Sequence, residues 1–351
     1  MADIAILMLG GRGAGKTCYM LGLYADMRVG RQGLTLSAPL NDDLDMTNRW
    51  NRLKKGGSED RFPAPTFATS QVEIAMLYAF REFMKFSWFD YPGDALNVHE
   101  ADAFGVDLGA KMNEANTVLV CLPGNDLIQY ARTGDSELPS LNIAELNRHF
   151  ASIRDRNERD EDRPAIVVVV TKYDAFLDAL ETNPAGLREG LETLGIDPAQ
   201  CADPDRQAQY VLEECVKSVL HPLFVDQSGF HVLISPATLG AQLARAPATG
   251  ALEPKWLAHP LMFSYIVYAE TLMSQCARAI DAGRGQVDEL EGRFLRFLVR
   301  DEIADARAAI ARAARRAAEI GQRLDIARRL LPSWAIVWRD GVRISGHDYG
   351  R

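Results

Sequence analysis

The amino-acid sequence predicts an α/β fold, in which a mostly parallel β-sheet carries helices on both faces. Two observations lead to this prediction. Short, continuously apolar runs, typical of buried parallel strands, alternate with longer stretches of helical character. A glycine-rich loop, GGRGAGKT, stands between the first apolar run and the first helical stretch. A helical extension and a small β-hairpin are predicted to follow at the C-terminal end.

The apolar runs predict the strands in order. Residues 4–9 form a run that ends in glycine, and two later runs read as the strands of a hairpin. Three further runs are continuously apolar, as in strands buried on both faces. The predicted strands are 4–9, 71–80, 82–91, 117–123, 165–171 and 231–237. The predicted helices are 16–29, the first part of 41–66, and stretches near 141–155, 175–194 and 206–220.

The sequence changes character after about residue 250. An apolar helix, including LMFSYIVYAETLM, closes the body, and a long helical tract follows over 286–331. Within this tract apolar residues recur every seven positions, with a second set three residues later, which predicts a helix-packing seam. The seam residues are Ile303, Ile310, Ala317, Leu324 and Leu331, with Ala306, Ala313, Ile320 and Ala327. Packing against the body and pairing with another chain both remain open.

We therefore divide the chain into residues 1–280, the main domain, and residues 281–351, the helical extension. The extension ends in a predicted hairpin over 334–345, which turns at Asp340 and Gly341.

Composition and charge restrict the function classes. The 351 residues are 47% hydrophobic and 25% charged, as in ordinary globular proteins. None of the five cysteines is spaced as in a metal site or a disulfide framework, and no run is long enough to span a bilayer. These features predict a cytoplasmic protein with no transmembrane segment.

The net charge of −9 is unevenly distributed. Ten arginines and four acidic residues lie from residue 307 onward, so the rest of the chain is strongly acidic. An acidic body argues against DNA binding. Four interpretations of the basic tail remain open: it contacts an acidic partner, RNA or a membrane surface, or it is simply a solvated helix face.

The glycine-rich loop matches the phosphate-binding pattern GxxxxGK[ST]. Its glycines allow backbone N–H groups to face phosphates, and the following helix N-terminus adds positive potential. Lys16 is predicted to reach the β- and γ-phosphates, and Thr17 to ligate Mg²⁺. The predicted nucleotide-binding residues of this loop are Gly10, Gly13, Ala14, Gly15, Lys16, Thr17 and Cys18.

Two more motifs follow later strands. In WFDYPGD, Asp90 ends an apolar strand, where it can hold Mg²⁺ through a water, and Gly93 can offer its N–H to a γ-phosphate. In TKYD, Asp174 can accept hydrogen bonds from N1 and N2 of guanine, a donor pair that adenine lacks, while Lys172 lies along the base. Thr171 opens this motif and completes the predicted base site.

GGRGAGKT, DYPG and TKYD, in this order, resemble the Ras-like P-loop GTPases of the translation-factor-related class. The resemblance covers roughly residues 1–275. More narrowly, the chain resembles bacterial double-GTPase-like proteins, which are linked to signalling or conflict systems. The resemblance implies a P-loop NTPase (Ras-like) fold that binds GTP or GDP with Mg²⁺.

The family's remaining motifs match loosely. ISPAT is a counterpart of its fifth motif, which implies base contacts from Ser235 and Ala237. The family's switch threonine, which closes over Mg²⁺ and the γ-phosphate, corresponds best to Thr66 and next to Thr69.

Two departures concern catalysis. Asp94 stands where the family has the glutamine that orients the attacking water, and Arg12 stands at a P-loop position that is often glycine. Arg12 either crowds the γ-phosphate, or stabilises transition-state charge in cis, or points to solvent. Arg61 is a second candidate for a cis arginine. The predicted catalytic residues are Lys16, Arg12, Asp94 and Thr66.

The sequence therefore predicts a guanine-nucleotide switch with slow GTP hydrolysis, raised by a protein effector or activator. One alternative is a hydrolysis-deficient nucleotide-binding scaffold that dimerises or joins other chains through its C-terminal helices. A second is an ATPase or small-molecule kinase, which TKYD disfavours.

Overall fold

A computed structural model describes most of residues 4–346. The segments outside the description are 31–32, 56–60, 64–68, 94–107, 109, 113, 139, 157–163, 183, 198–203, 241–242, 244–251 and 293–299. Two of the predicted catalytic residues, Thr66 and Asp94, lie in these segments.

The described residues form a sheet of nine strands in the order β2-β3-β4-β1-β5-β6-β7-β8-β9. Their bounds are β1 Ile4–Leu9, β2 Leu34–Ser37, β3 Ser70–Tyr78, β4 Arg81–Asp90, β5 Thr117–Pro123, β6 Ala165–Thr171, β7 His231–Pro236, β8 Ile336–Arg339 and β9 Val342–Ser345. The five central strands, β4, β1, β5, β6 and β7, are parallel to one another. At both flanks the pairing is antiparallel. The sheet is thus mixed, and the prediction of a mostly parallel sheet holds for its centre alone.

Helices cover both faces of the sheet. Their bounds are α1 Lys16–Arg28, α2 Leu40–Lys55, α3 Gly124–Thr133, α4 Ile143–Arg156, α5 Tyr173–Thr182, α6 Pro184–Thr193, α7 Pro204–Val219, α8 His259–Gly292 and α9 Arg300–Leu330. Strand β6 shows the arrangement, because alternate side chains enter opposite cores. Val167 and Val169 belong to the core that also holds buried residues of α1, α2, α8 and α9, whereas Val168 and Val170 belong to the core that holds buried residues of α3, α4, α5 and α7.

The sequence did not predict β2 or α3, and it read α5 and α6 as one helix. Strand β2 has four residues, too few to show a period, and its place is set by antiparallel pairing with β3. Helix α8 is longer than expected: its 34 residues extend about 50 Å.

The predicted seam packs within the chain. Helix α9 runs antiparallel to α8, as shown by ion pairs of Arg307 with Glu291 at 2.6 Å and Arg328 with Glu270 at 3.3 Å. The helices approach closely at Gly283, where an added Cβ would lie 2.7 Å from Cγ1 of Ile310. The seam residues Ala306, Ile320, Leu324 and Ala327 are buried. The seam therefore packs on α8 within the chain, as the first of the two options predicted, and pairing with another chain stays a prediction.

The predicted C-terminal hairpin is present and continues the main sheet, because β8 pairs with β7. Asp340 and Gly341 both have positive φ, 52° and 79°, as a two-residue hairpin turn requires. The domain boundary at residue 280 stays a prediction; α8 crosses that position without a break. Within the described ranges, no helix combines the length and apolarity that crossing a bilayer requires.

Candidate nucleotide-binding site

The three sequence motifs meet at one edge of the sheet, around a cavity of about 690 Å³. This edge carries the carboxyl ends of parallel strands, where α/β folds place their ligands. The cavity volume lies in the range of small-molecule sites. The lining residues are Arg12, Gly13, Ala14, Gly15, Lys16, Thr17, Cys18, Tyr19, Phe62, Pro63, Gly93, Asn125, Thr171, Lys172, Asp174, Ala175, Ala237, Thr238, Leu239, Gly240, Leu243 and Leu257.

The loop between β1 and α1 depends on its glycines. Gly10, Gly13 and Gly15 have φ values of 144°, 79° and 84°, a region that side chains disfavour. Gly10 also has no room for a side chain, since a Cβ would lie 2.7 Å from the carbonyl oxygen of Cys121 in β5. The loop is therefore held in a conformation that leads directly into the N-terminus of α1 at Lys16.

Lys16 is 7% exposed, and its Nζ donates a 2.7 Å hydrogen bond to the carbonyl oxygen of Gly10. A second contact reaches the carbonyl of Gly11 at 3.4 Å. A buried ammonium group needs such partners. They hold the positive charge against the loop, beside the space where a phosphate would meet the helix N-terminus.

Thr17 and Asp90 lie together although 73 positions separate them. Thr17 Oγ1 donates to Asp90 Oδ2 at 3.3 Å, and Asp90 is 2% exposed at the end of β4. The pairing of β1 with β4 places Asp90 opposite Met8, next to the loop. A hydroxyl and a carboxylate are ligands that suit Mg²⁺, which usually takes its remaining positions from water and phosphate oxygens. These residues fit the predicted metal site.

Gly93 packs directly on the phosphate-binding loop. A Cβ at this position would lie 2.5 Å from the backbone nitrogen of Arg12 and 2.8 Å from the carbonyl carbon of Gly11. The two backbones are therefore in contact, which explains why glycine is needed in this motif. Arg12 itself is exposed at the cavity. The alternative switch residue, Thr69, is exposed just before β3.

Thr171 lines the cavity, and its hydroxyl bonds to the phosphate-binding loop. Its hydroxyl donates to the carbonyl oxygen of Ala14 at 2.6 Å, and the residue is 5% exposed. The same side chain touches Gly15, whose Cβ would lie 3.3 Å from Thr171 Oγ1. The predicted base-binding motif thus supports the predicted phosphate-binding loop.

Asp174 lines the cavity and is positioned by a residue that was not among the predicted site residues. Thr238 Oγ1 donates to Asp174 Oδ1 at 2.6 Å and accepts from the backbone N–H of Gly240 at 2.9 Å. Lys172, two residues before Asp174, is exposed at the cavity and has a φ of 51°. Thr238 directly follows Ala237 in the ISPAT segment. The prediction therefore chose the correct segment but missed the positioning residue by one position.

The predicted fifth motif is arranged differently from the expectation. Ser235 lies inside β7, is 2% exposed, and does not line the cavity. Ala237 does line it, but its N–H donates to the carbonyl of Val170 at 2.8 Å and so belongs to the sheet. The reason is that β7 continues to Pro236, and the chain turns towards the cavity only after the strand ends.

Apolar and amide side chains complete the cavity, and the sequence carried no signal for them. They come from three separate segments: Phe62 and Pro63 before β3, Asn125 in α3, and Leu239, Leu243 and Leu257 after β7. Tyr19 in α1 braces the last of these, because its hydroxyl donates to the carbonyl of Leu257 at 2.9 Å.

Two cysteines lie at the phosphate-binding loop, Cys18 in α1 and Cys121 in β5. Burial raises the pKa of Cys18 to about 11, although the positive charges of Lys172 and Arg49 oppose the shift. Burial likewise raises the pKa of Cys121, beneath the loop, to about 12. Both shifts favour the protonated thiol near neutral pH, so neither cysteine is suited to act as a nucleophile.

No protein-family model matches the sequence, and no curated protein matches it. Among solved structures, the chain is distantly similar to the GTPase-like domain of Ski7 from S. cerevisiae, bound to GTP, with a TM-score of 0.36 and 12% identity. The match covers 72% of this chain and 46% of that chain, so it spans less than half of the Ski7 chain. The cavity geometry, and not this distant likeness, supports the function proposed below.

Proposed function

We propose that the chain is a guanine-nucleotide-binding switch that binds GTP and GDP with Mg²⁺ and hydrolyses GTP slowly. One observation supports this above all: a single cavity is lined both by Lys16 and Thr17 and by Asp174 with its partner Thr238. The first pair suits a polyphosphate with its metal ion, and the second suits the base. Residues 1–280 form the nucleotide-binding domain in this proposal.

Selection of guanine rests on the carboxylate of Asp174. A carboxylate accepts hydrogen bonds and donates none, so it matches the N1–H and N2–H₂ donors of guanine. Adenine presents no such donor pair, and leaving the carboxylate unpaired in a partly buried site costs about 1–3 kcal/mol. The hydrogen bond from Thr238 fixes the carboxylate for this task.

Metal binding is assigned to Thr17 and Asp90, with Thr66 as the proposed switch ligand. When bound, Mg²⁺ would neutralise part of the negative charge of the phosphates. Thr17 contributes a hydroxyl oxygen and Asp90 a carboxylate at the adjoining strand end, either directly or through water.

The proposal of slow, partner-stimulated hydrolysis rests on two residues that differ from the family pattern, Arg12 and Asp94. Asp94 replaces the family's water-orienting glutamine, and Arg12, exposed at the cavity, is available to contact the γ-phosphate or an incoming partner. A place in a bacterial signalling or conflict system belongs to the same proposal and rests on the resemblance of the motifs.

The hydrolysis-deficient scaffold is the weaker candidate. Its proposed assembly surface was the seam of α9, which α8 occupies within the chain. Assembly through other surfaces of the helical extension stays within the proposal.

The test is a titration with fluorescent GDP, GTP and ATP, each with Mg²⁺ and with EDTA, followed by single-turnover phosphate release. We expect binding of both guanine nucleotides, at least a tenfold preference over ATP, and weaker GTP binding in EDTA. Lys16→Ala removes the phosphate contact, and Lys85→Ala, at an exposed position in β4, is its matched control. Equal affinity for ATP, or no binding of any nucleotide, would contradict the proposal.

A further inference from the structure

Arg61 is a buried cation beside the cavity. It is 6% exposed, and its Nη2 donates a hydrogen bond to the backbone carbonyl of Leu243. Its guanidinium carbon lies 4.8 Å from the ring centroid of Phe62. The contact with Leu243 joins segments that are 182 positions apart in sequence.

The two joined segments form one wall of the cavity. Phe62 and Pro63 line the cavity from the segment before β3, and Leu239, Gly240 and Leu243 line it from the segment after β7. Leu243 is fixed to the base end because its N–H donates to the carbonyl of Gly240 at 3.0 Å, and Gly240 in turn donates to Thr238. Arg61 therefore attaches the segment before β3 to the segment that carries the partner of Asp174.

This arrangement is poorly suited to a purely structural role. Nη1 of Arg61 is buried, with no hydrogen-bond acceptor in the part of the chain that the structure describes. A buried donor left without an acceptor destabilises a fold by about 1–3 kcal/mol. An apolar side chain would fill the space without that penalty, and such departures from local rules are characteristic of functional positions.

We propose that Arg61 is a positioning residue that closes this wall over the base end of the bound nucleotide and thereby slows nucleotide release. This inference rests on the proposed function. It differs from the cis-arginine role that the sequence left open, in which Arg61 would act on the γ-phosphate and on the rate of hydrolysis. Arg61 acts here through Leu243 and Phe62, not by touching the phosphates.

The experiment compares the wild-type chain with Arg61→Ala, Arg61→Lys and the control Arg52→Ala, an exposed arginine on α2. Release of fluorescent GDP is followed by displacement, and hydrolysis of bound GTP by single turnover. A hydrogen bond from a charged donor is worth enough for roughly a tenfold change in rate. We expect Arg61→Ala to release GDP at least about ten times faster, Arg61→Lys to restore part of the effect, and hydrolysis of bound GTP to stay within twofold.

Phe62→Ala provides a second variant, since Phe62 is 44% exposed and its truncation leaves the core intact. It should also speed GDP release. Slower hydrolysis with unchanged release in Arg61→Ala would overturn the proposal in favour of a cis arginine, and unchanged release in both variants would overturn it outright.

Hydrogen exchange on the nucleotide-free protein separates this inference from the proposed function. In Arg61→Ala the amides of Gly240 and Leu243 should exchange faster than in Arg52→Ala, because the wall loses its attachment. If the wild type binds no guanine nucleotide, the proposed function fails, whereas this exchange measurement still decides whether Arg61 holds the wall. Unchanged exchange at both amides would mean that it does not.

Discussion

The hydroxyl of Thr171 donates a 2.6 Å hydrogen bond to the carbonyl oxygen of Ala14, across 157 positions of sequence. The bond connects the end of β6 to the phosphate-binding loop. The proposed base site and the proposed phosphate site therefore share this contact, so a substitution at Thr171 should weaken nucleotide binding at both.

Thr171→Val removes this bond with little change in shape. The carbonyl of Ala14 then loses its buried donor, and we expect a loss of about 1–2 kcal/mol in the free energy of unfolding and roughly tenfold weaker GDP binding. Thr171→Ser retains the hydroxyl and should stay close to wild type. Thermal unfolding and a GDP titration measure the two effects; a valine variant that behaves like the serine variant would show that the bond is unimportant.

Gly93→Ala forces two backbones apart. The new Cβ would lie 2.5 Å from the backbone nitrogen of Arg12, a distance that real structures do not tolerate. We expect single-turnover GTP hydrolysis to fall at least about tenfold, with a smaller loss in GDP affinity, because Gly93 is the residue predicted to offer its N–H to the γ-phosphate, which GDP lacks.

The matched control is Gly285→Ala in α8, where the added Cβ meets open space. That change should leave hydrolysis unaltered and stabilise the helix by up to about 1 kcal/mol. Equal hydrolysis rates in the two alanine variants would contradict the assigned role of Gly93.

Asp174→Asn should exchange the base preference. The asparagine amide offers one acceptor and one donor group, which matches N1–H and the C2 carbonyl of xanthine but places a donor against the amino group of guanine. We expect GDP affinity to fall by about tenfold to a hundredfold and XDP affinity to rise by a similar factor. Competition between the two nucleotides measures this. Loss of GDP binding with no gain for XDP would argue that Asp174 supports the loop and does not read the base.

His259 should make stability depend on pH. It begins α8 and packs edge-on against Trp334, with ring centroids 5.3 Å apart. Burial lowers its pKa from 6.5 to about 4. The unfolded chain therefore binds a proton that the folded chain excludes between these values, so stability is full above about pH 6.5 and declines as the pH falls towards 4.

The decline from this group amounts to at most about 3 kcal/mol. His259→Phe keeps an aromatic ring at this position and removes the titration, so its free energy of unfolding should fall less than that of the wild type between pH 7 and pH 5. Denaturant unfolding at both pH values supplies the comparison. Parallel losses in the two proteins would show that other groups govern acid stability.

The sequence by itself determined the local features of this protein. A run such as AIVVVVT can be satisfied only by burial on both faces, and β6 is buried throughout. The glycines of the first loop and the Asp340-Gly341 turn were readable for the same reason, since the backbone conformation at each position depends on the residue itself.

Only the tertiary structure decided which distant residues those local features contact. Three contacts join segments that are far apart in the chain. Thr238 holds Asp174, Arg61 bonds to Leu243, and the seam of α9 packs on α8. A residue's periodicity and propensity say which face is buried and where an element ends, but not which distant element arrives there. That choice is made by the packing of the whole chain, where the gain in buried surface and satisfied hydrogen bonds is collective.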